Sequence, residues 1–178
     1  MVLVIAGPNG SGKSTFTQYF EKIGEYTNAD DVVAVTGMDN VEAARWVDKK
    51  RYMSIANKKD FTFETVLSSE YKMDILRKAK SEGYFIKCIF VLTVDPLVNV
   101  ARVQSRVAQG GHGVEKDKII SRYKKSLGNI KELLEICDIL HVYDNTVEPF
   151  RIIRKHKMDI SIFANNLWSE DQIAALMQ

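Results

Sequence analysis

Short apolar runs alternate along the chain with segments whose apolar residues recur at helical spacing. The runs at 2–6 and 85–94 are continuous and rich in β-branched residues, a pattern typical of strands buried on both faces. Further strands are predicted near 25–28, from Phe61 in "FTFETV", and in "ILHVY" at 139–143. Strands that alternate with helices predict an α/β fold, a three-layer domain with a mostly parallel central sheet.

Helices are predicted in the stretches between these strands. Asp95 is expected to cap the helix after the 85–94 strand, with Pro96 at its first position. The tail "FRIIRKHKMDISIF" and the residues after Trp168 are expected to form a short hairpin and a closing helix. Helical spacing extends from Lys13 to about Lys22, over 41–57, through a segment that ends at Gly83, from Pro96 to about Ala108, and along Ile119, Tyr123, Leu127, Ile130 and Leu134.

The first strand runs into "GPNGSGKST", which contains the pattern G-x-x-x-x-G-K-[ST]. Glycines let backbone N–H groups turn inward around phosphates, and the N-terminus of the following helix favours their negative charge. Lys13 is expected to reach the β- and γ-phosphates, and the Ser14 hydroxyl to help hold Mg²⁺. The whole loop is therefore predicted to bind a nucleotide: Gly7, Pro8, Asn9, Gly10, Ser11, Gly12, Lys13, Ser14 and Thr15.

Two other classes of P-loop protein fit the sequence less well. "NKKD" at 57–60 matches the guanine-reading motif N-K-x-D, but it ends a predicted helix and no D-x-x-G switch sequence precedes it, which favours a polar turn. A transport ATPase signature of the L-S-G-G-Q type is missing from the sequence, and Asp95 fits a helix cap better than a distant magnesium partner. A small-molecule kinase needs a carboxylate for the acceptor, positive groups for the phosphoryl group, and a lid that excludes water.

Carboxylates follow two predicted strands at the sheet edge where ligands of open parallel sheets bind. Asp30, in "NADD", could accept the proton of an acceptor hydroxyl, although an Asx turn or helix cap is the alternative and Asp31 could exchange roles with it. Glu64 lies near the end of "FTFET", where a buried carboxylate is costly unless it is paired or bound. It is predicted to position the acceptor or to contact Mg²⁺ through water, with a salt bridge as the alternative.

Positive charge and a hinge lie together further along the chain. Arg102 and Arg106 share a helix face, and Arg122 lies beyond the glycine-rich "QGGHG". Two helices joined by this break predict a lid at about 106–122 that brings arginine forks over the phosphates. His112 is more typical of a turn or lid residue than of a catalytic base. The alternative, a solvated basic face, suits the lysines that follow: Lys124 and Lys125.

Composition bounds the remaining possibilities. With 178 residues, 46% hydrophobic and 27% charged, the chain suits a single domain over 1–178 of the soluble globular type. A net charge of +2 is too small to argue for nucleic acid or a membrane surface as partner. Cys88 lies in an apolar run and is expected to be buried, far in sequence from Cys137. An apolar stretch of 18 residues and a leader-like start are both missing, so a cytoplasmic location is expected.

Together these segments resemble the zeta-toxin-like P-loop kinases in their compact bacterial form. The phosphate loop alone fits many P-loop classes, whereas the segment R-V-x-x-G-G-H with the downstream R-Y pair is far more specific. The matching pieces span most of residues 3–146 in order: "IAGPNGSGKSTF", "NADDV", "FTFETVLSS", "GYFIKCIFVLT", "ARVQSRVAQGGHGV", "IISRYKKSLGNI" and "VYDNT".

The resemblance implies a three-layer P-loop kinase fold with a helical lid, and ATP with Mg²⁺ as cofactors. In the best-known members the acceptor is a UDP-linked amino sugar, phosphorylated on a sugar hydroxyl. By position, Asp30 falls on the family's catalytic base, Glu64 on its acceptor-contacting acid, and Arg106 and Arg122 near its phosphate-binding arginines. A toxin role would further imply an antitoxin that covers the nucleotide site.

This chain departs from the family pattern in three places. Val66 stands where the larger toxins have threonine, and Glu115 where the compact form usually has proline. The region 40–58, which could hold an acceptor pocket, matches no family segment; Trp46 and Tyr52 there fit packing better than base stacking. Two functions therefore stay open. One is a small-molecule kinase, and the other is a nucleotide-binding module with weak ATPase activity that acts through a protein partner.

Overall fold

The computed structural model describes residues 1–111 and 113–178, and this part of the chain folds around one sheet. Its strands run in the order β2-β3-β1-β4-β5-β6-β7, in which the first five are parallel and the last two antiparallel. The strands are β1 (Val2–Ala6), β2 (Glu25–Thr27), β3 (Phe61–Thr65), β4 (Ile86–Leu92), β5 (Ile139–Asp144), β6 (Phe150–His156) and β7 (Asp159–Ile162).

Helices connect the strands and lie on both faces of the sheet, as the sequence predicts. No helix in the described part of the chain is both long enough and apolar enough to span a bilayer. The helices are α1 (Lys13–Thr17), α2 (Ala29–Thr36), α3 (Asn40–Ala56), α4 (Glu70–Ser81), α5 (Pro96–Ala108), α6 (Lys116–Gly128), α7 (Ile130–Ile136) and α8 (Glu170–Leu176).

The two faces of the sheet are covered unequally. Alternate residues of the central strands pack on one face against α3, α4, α7 and α8, in one large apolar cluster that includes Phe63, Leu76 and Leu133. On the other face, Ile5 and its neighbours pack against Phe16 of α1 in a much smaller cluster. Burial of each large apolar side chain stabilises the fold by roughly 1.5–3 kcal/mol. The face with the large cluster therefore contributes most of the stability.

Several details of the predicted elements are confirmed. Asp95 caps α5 by accepting a hydrogen bond from the N–H of Leu97 at 2.7 Å, with Pro96 first in the helix. The tail forms the predicted hairpin, β6–β7, and the closing helix α8. "NKKD" is a polar turn between α3 and β3, at the end of β3 opposite the phosphate loop. Cys88 is fully buried.

The helix predicted from Lys13 to about Lys22 is wrong in length, because it ends at Thr17. Beyond that residue the N–H groups of Gln18 and Tyr19 bond to the carbonyl three residues back, so the chain tightens out of the α-helix. Gly24 then turns at φ +59°, where a Cβ would lie 1.8 Å from the Asp60 carbonyl oxygen. This close approach delivers the chain directly into β2.

One further prediction needs correction, and one helix was missed. The stripe from Ile119 to Leu134 is not one helix but two, α6 and α7, separated at Asn129, whose side chain donates to the Leu67 carbonyl at 2.9 Å. Helix α2 was not predicted at all. It buries none of its side chains, so no apolar periodicity marks it, although Asn28 caps its start and Gly37, at φ +70°, its end.

Candidate active site

The loop between β1 and α1 has the backbone geometry of a phosphate cradle. Gly10 and Gly12 adopt φ values of +76° and +95°, which side chains of L-residues rarely allow. A Cβ on Gly10 would lie 2.6 Å from the Asn99 carbonyl oxygen, and one on Gly12 would lie 2.3 Å from the Asn145 Nδ2. The glycine pattern is therefore required by close contacts with other parts of the chain.

Two asparagines that the sequence analysis missed hold this loop in place. The Asn99 amide, on α5, donates to the Asn9 carbonyl at 2.6 Å. The Asn145 amide, directly after β5, donates to the Ser11 carbonyl at 2.8 Å. Asn145 stands at the carboxyl end of a predicted strand, which is a usable signal, whereas Asn99 has none because it lies within a helical pattern.

Several hydrogen-bonding groups of the loop suit an anion. The N–H groups of Gly12, Lys13 and Ser14 have no acceptor among the described residues, and the buried Ser11 hydroxyl has no partner there either. Lys13 is buried, and its Nζ donates to the Pro8 carbonyl at 2.9 Å. Burial lowers the pKa of Lys13, while the carboxylates of Glu64 and Asp30 oppose that shift. Nucleotide phosphates fit this set of donors.

Glu64 lies against the loop at the carboxyl end of β3. The residue is 6% exposed, and its carboxylate accepts hydrogen bonds from the Ser14 and Thr17 hydroxyls, each at 2.9 Å, and from the Tyr26 hydroxyl at 3.4 Å. Burial and the Glu64 charge raise the pKa of Tyr26, so its hydroxyl keeps its proton and donates. The salt-bridge alternative is wrong within the described residues, because Glu64 has no ion-pair partner there.

The contact between Ser14 and Glu64 also fits a magnesium site of the P-loop type. No group of three or more histidine, cysteine, aspartate or glutamate side chains in the described chain could hold a metal by itself. Mg²⁺ commonly uses one or two protein oxygens together with water and nucleotide phosphates. Ser14 Oγ and a Glu64 oxygen, 2.9 Å apart, supply oxygens of that kind.

The two candidate aspartates differ in their surroundings. Asp30 and Asp31 both lie in the first turn of α2, but the cap is Asn28, whose side-chain oxygen accepts from the Asp30 N–H at 3.1 Å. The Asn28 amide donates to the Asp31 carboxylate at 3.2 Å. Burial, with the charges of Glu64 and Asp30, raises the pKa of Asp31. Only Asp30 faces the cavities described below.

The arginines approach the loop from two helices. Arg122, on α6, donates to the side-chain oxygen of Asn9 at 3.3 Å, and Arg106, at the end of α5, faces the same space. Arg102 instead donates to the Asn145 and Thr146 carbonyls at 2.8 and 3.0 Å, so it supports the loop after β5. The predicted role of His112 lies outside the described residues.

Two cavities meet at these side chains. The smaller, about 260 Å³, lies on the phosphate loop, and the larger, about 810 Å³, extends between α3, the start of α4 and α6. Arg122 lines only the larger cavity. Five residues line both cavities, and all five are predicted site residues: Asn9, Lys13, Asp30, Glu64 and Arg106.

A buried arginine that the sequence analysis missed supports one wall of the larger cavity. Arg51, on α3, is 2% exposed and donates to the carbonyls of Thr27 and Glu64, both at 3.2 Å, at the ends of β2 and β3. It also donates to Asp48 at 2.8 Å, and Asp48 accepts from Lys72 at 2.5 Å. Burial lowers the pKa of Arg51 to about 10, which leaves it charged at neutral pH.

The fold and the loop define the class of the protein as a P-loop kinase-like α/β protein. The family model described as Zeta toxin matches residues 25–166, which is most of the chain. The chain therefore belongs to the zeta toxin family. This match begins after the phosphate loop, so the loop and the family are independent observations.

Individual relatives are distant. An uncharacterized protein of Haemophilus influenzae is 25% identical over 123 residues, which is 66% of this chain and 88% of that protein. The crystal structure of AvrRxo1-ORF1:-ORF2 with ATP is similar at a TM-score of 0.65 and 12% identity, over 91% of this chain and 60% of the matched one. A chain of the PezAT toxin–antitoxin system of Streptococcus pneumoniae is similar at a TM-score of 0.56 and 15% identity, over 84% of this chain and 68% of the matched one. The chain thus spans about 60% of the AvrRxo1 chain's length.

Proposed function

We propose that this protein is an ATP- and Mg²⁺-dependent kinase that phosphorylates a hydroxyl group of a small molecule. The observation that carries the proposal is the junction of the two cavities, because the side chains suited to phosphoryl transfer lie where the cavities meet. A nucleotide in the smaller cavity would direct its γ-phosphate toward an acceptor in the larger one. An ATPase has no need of a second cavity of this size.

The residues at the junction have complementary roles in this account. Asp30 accepts the proton of the acceptor hydroxyl as the hydroxyl oxygen bonds to the γ-phosphorus and the bond to the ADP oxygen breaks. Lys13, Arg106 and Arg122 stabilise the negative charge on the transferring group. The remaining residues of the loop, 7–15, hold the other phosphates through their N–H groups.

Glu64 is assigned to the metal side of the site. Mg²⁺, when bound, neutralises phosphate charge and fixes the geometry of the transferring group. Ser14 would hold it directly, and Glu64, which accepts from Ser14, would orient its water shell. Of the two roles expected for Glu64, its hydrogen bonds with Ser14 and Thr17 favour this one over acceptor positioning.

The charge of the larger cavity supports an anionic acceptor, as a UDP-linked amino sugar would be. Among the described residues that line it, basic side chains outnumber acidic ones by seven to three. Arg51 and Lys72 are paired with Asp48, and Lys118 with Glu115, so among the described residues of the outer part it is Arg122 and Lys125 that lack a carboxylate partner. The basic side chains are Lys13, Arg51, Lys72, Arg106, Lys118, Arg122 and Lys125.

An antitoxin is the proposed protein partner. The similar structures are AvrRxo1-ORF1:-ORF2 and a chromosomal toxin–antitoxin system, both of which are assemblies of two proteins by name. A partner that covered the junction would block the nucleotide and the acceptor together. We infer that the segment 106–122 acts as the lid of this site, because it carries both Arg106 and Arg122 to it.

Replacing Asp30 by asparagine tests the proposal. Because the amide cannot accept the hydroxyl proton, Asp30→Asn should lower the rate of phosphotransfer by about 100-fold or more. ATP binding, measured by calorimetry, should change little. Asp31→Asn is the matched control, since Asp31 is bonded to Asn28 and does not face the cavities. Full turnover in Asp30→Asn would refute the assignment, and loss of ATP binding would show that Asp30 acts in the nucleotide site instead.

A further inference from the structure

Asp144 is a buried acidic residue at the carboxyl end of β5, directly before the asparagine that holds the phosphate loop. It is 1% exposed, and no basic side chain of the described residues lies within 4.0 Å of its carboxylate. Hydrogen bonds satisfy it instead. Oδ1 accepts from the Thr146 N–H at 2.7 Å and from the Thr146 hydroxyl at 2.5 Å, and Oδ2 accepts from the indole N–H of Trp168 at 3.0 Å. A buried polar group is costly without such donors, so the indole matters to Asp144.

The indole belongs to the C-terminal tail, which we define as residues 163–178. Trp168 is 6% exposed and packs in the large apolar cluster. A tight turn fixes its backbone, because its N–H donates to the Asn165 side-chain oxygen and its carbonyl accepts from the Asn165 N–H, both at 2.9 Å. The tail follows β7, the outer strand, yet its indole reaches β5, two strands away in the sheet. The family match ends at residue 166, so Trp168 lies beyond it.

Two residues connect the carboxylate of Asp144 to the phosphate loop. Asp144 holds Thr146 through the two hydrogen bonds to its Oδ1, and Arg102 of α5 donates to the Asn145 and Thr146 carbonyls at 2.8 and 3.0 Å. Asn145, fixed between these contacts, donates its side-chain amide to the Ser11 carbonyl at 2.8 Å. The carboxylate, and through it the tail, therefore helps to set the position of the phosphate loop.

The contact between Asn145 and the loop leaves little room for displacement. A Cβ on Gly12 would lie only 2.3 Å from the Asn145 Nδ2. The N–H groups of Gly12, Lys13 and Ser14, which have no acceptor among the described residues, follow Ser11 directly in the chain. Backbone donors bind a phosphate only when they converge on it, so a shift of Asn145 would weaken the whole set.

We propose that Trp168 and Asp144 are positioning residues for ATP. The indole N–H fixes Asp144, Asp144 fixes residues 145–146, and Asn145 fixes the phosphate loop. The C-terminal tail is thereby part of the nucleotide site, although none of its residues lines either cavity. The proposal rests on the nucleotide binding in the proposed function, but it requires neither phosphotransfer nor a particular acceptor.

A purely structural role for Trp168 is the alternative. In that case the ring anchors α8 to the core, and the indole bond only satisfies a buried carboxylate. Both roles predict that a change at Trp168 lowers stability. Only the positioning role predicts that ATP binding depends on the indole N–H, and that the indole in turn senses bound ATP.

The first test replaces Trp168 by phenylalanine, which keeps an aromatic ring in the core and removes the N–H donor. The Kd for ATP with Mg²⁺, measured by calorimetry on the full chain, should rise about tenfold, because Asp144 is left with an unpaired oxygen. Ile173→Val is the matched control. It changes a fully buried residue of the same tail and cluster, so it should lower resistance to urea and leave the Kd unchanged.

Replacing Asp144 by asparagine tests whether the two residues act on one path. The amide oxygen can still accept from Thr146, but the amide N–H₂ cannot accept from the indole, so this bond alone is lost. Asp144→Asn should therefore raise the Kd about as much as Trp168→Phe, and the double variant should be no weaker than either. Independent effects, which would multiply to roughly a hundredfold, would contradict a shared path.

NMR tests the same coupling in the unaltered chain, so it decides the question even if a variant fails to fold. The chain has two tryptophans, and Trp46→Phe identifies which ¹⁵N indole signal belongs to Trp168. ATP should shift the Trp168 signal saturably, with the Kd found by calorimetry. A wild-type protein that binds no ATP would refute the proposed function itself. If it binds ATP, an unmoved Trp168 signal or an unchanged Kd in Trp168→Phe would overturn the positioning role alone.

Discussion

At the scale of single residues, Arg51 is a charged side chain whose role is to stabilise the fold. It is the largest fully buried side chain in the described part of the chain, and its guanidinium lies 4.4 Å from the centre of the Phe63 ring. Its hydrogen bonds join the ends of β2 and β3 beside Asp30 and Glu64. The two candidate carboxylates, Asp30 and Glu64, therefore lie beside an internal ion pair that holds the strand ends together.

Replacing Arg51 by methionine should lower the free energy of unfolding by about 3–5 kcal/mol, because the change leaves Asp48 buried with only Lys72 as partner. Urea denaturation measures this value. Arg45→Met, on the exposed side of the same helix, should change it by less than about 0.5 kcal/mol. An Arg51→Met protein whose free energy of unfolding lies within about 0.5 kcal/mol of the wild type, the size of a surface effect, would contradict this account.

The sequence identified residues of the candidate site only where they lie at the ends of predicted strands or in a known motif. Asp30 and Glu64 could be found because each lies at or just beyond the carboxyl end of a predicted strand, and these strand ends meet at one edge of the sheet. Arg51 and Asn99 could not, because a polar residue on a helix normally faces water and only tertiary packing buries these two. Val66 and Glu115, the departures from the family pattern, both line the larger cavity.

At the scale of elements, helices α5 and α6 determine where Arg106 and Arg122 lie. Val100 and Val103 of α5 pack against Ile119 of α6 in an apolar cluster of their own. This cluster is distinct from the main core, while the C-terminal half of α6 is fixed to that core by Leu127 and by the hydrogen bond of Ser126 to the Val66 carbonyl, so a lid motion would involve the N-terminal half of α6. Between its two helices, Gly111 lies close to Arg106, and a Cβ there would be 2.6 Å from the Arg106 Cγ.

Gly111→Ala should therefore displace Arg106 and lower kcat for ATP turnover about tenfold, as expected when one stabiliser of phosphoryl charge is misplaced. Steady-state kinetics with a urea denaturation control separates this effect from unfolding. Gly128→Ala is the matched variant, because a Cβ at that helical position meets nothing within 4 Å. An unchanged kcat in Gly111→Ala would show that Arg106 does not act in the reaction.

Element types were predictable where apolar spacing was strong and failed where it was weak. Strands β1 and β4 are fully or almost fully buried, so their apolar runs are almost unbroken. Helix α2 buries no side chain and left no such signal. The break between α6 and α7 depends on a contact of Asn129 with the Leu67 carbonyl, which a local pattern cannot contain.

At the scale of the whole molecule, the sheet separates two surfaces. Its parallel part gathers the phosphate loop, Asp30 and Glu64 at one edge, as expected for open α/β sheets. Its antiparallel part, β6 and β7, extends the sheet away from that site, and β6 carries the basic residues Arg151, Arg154, Lys155 and His156. The composition could not predict where basic side chains cluster, because the net charge of +2 is a sum over the whole chain.

The central claim, that the phosphate of ATP goes to a second substrate, is tested most directly by following its label. The protein is incubated with γ-labelled ATP, Mg²⁺ and a pool of small metabolites that includes UDP-sugars, with Lys13→Ala as the blank. We predict a labelled small molecule that is absent from the blank and whose mass identifies the acceptor. Label found only as free phosphate would contradict the kinase proposal and favour a nucleotide-binding module that acts through a protein partner.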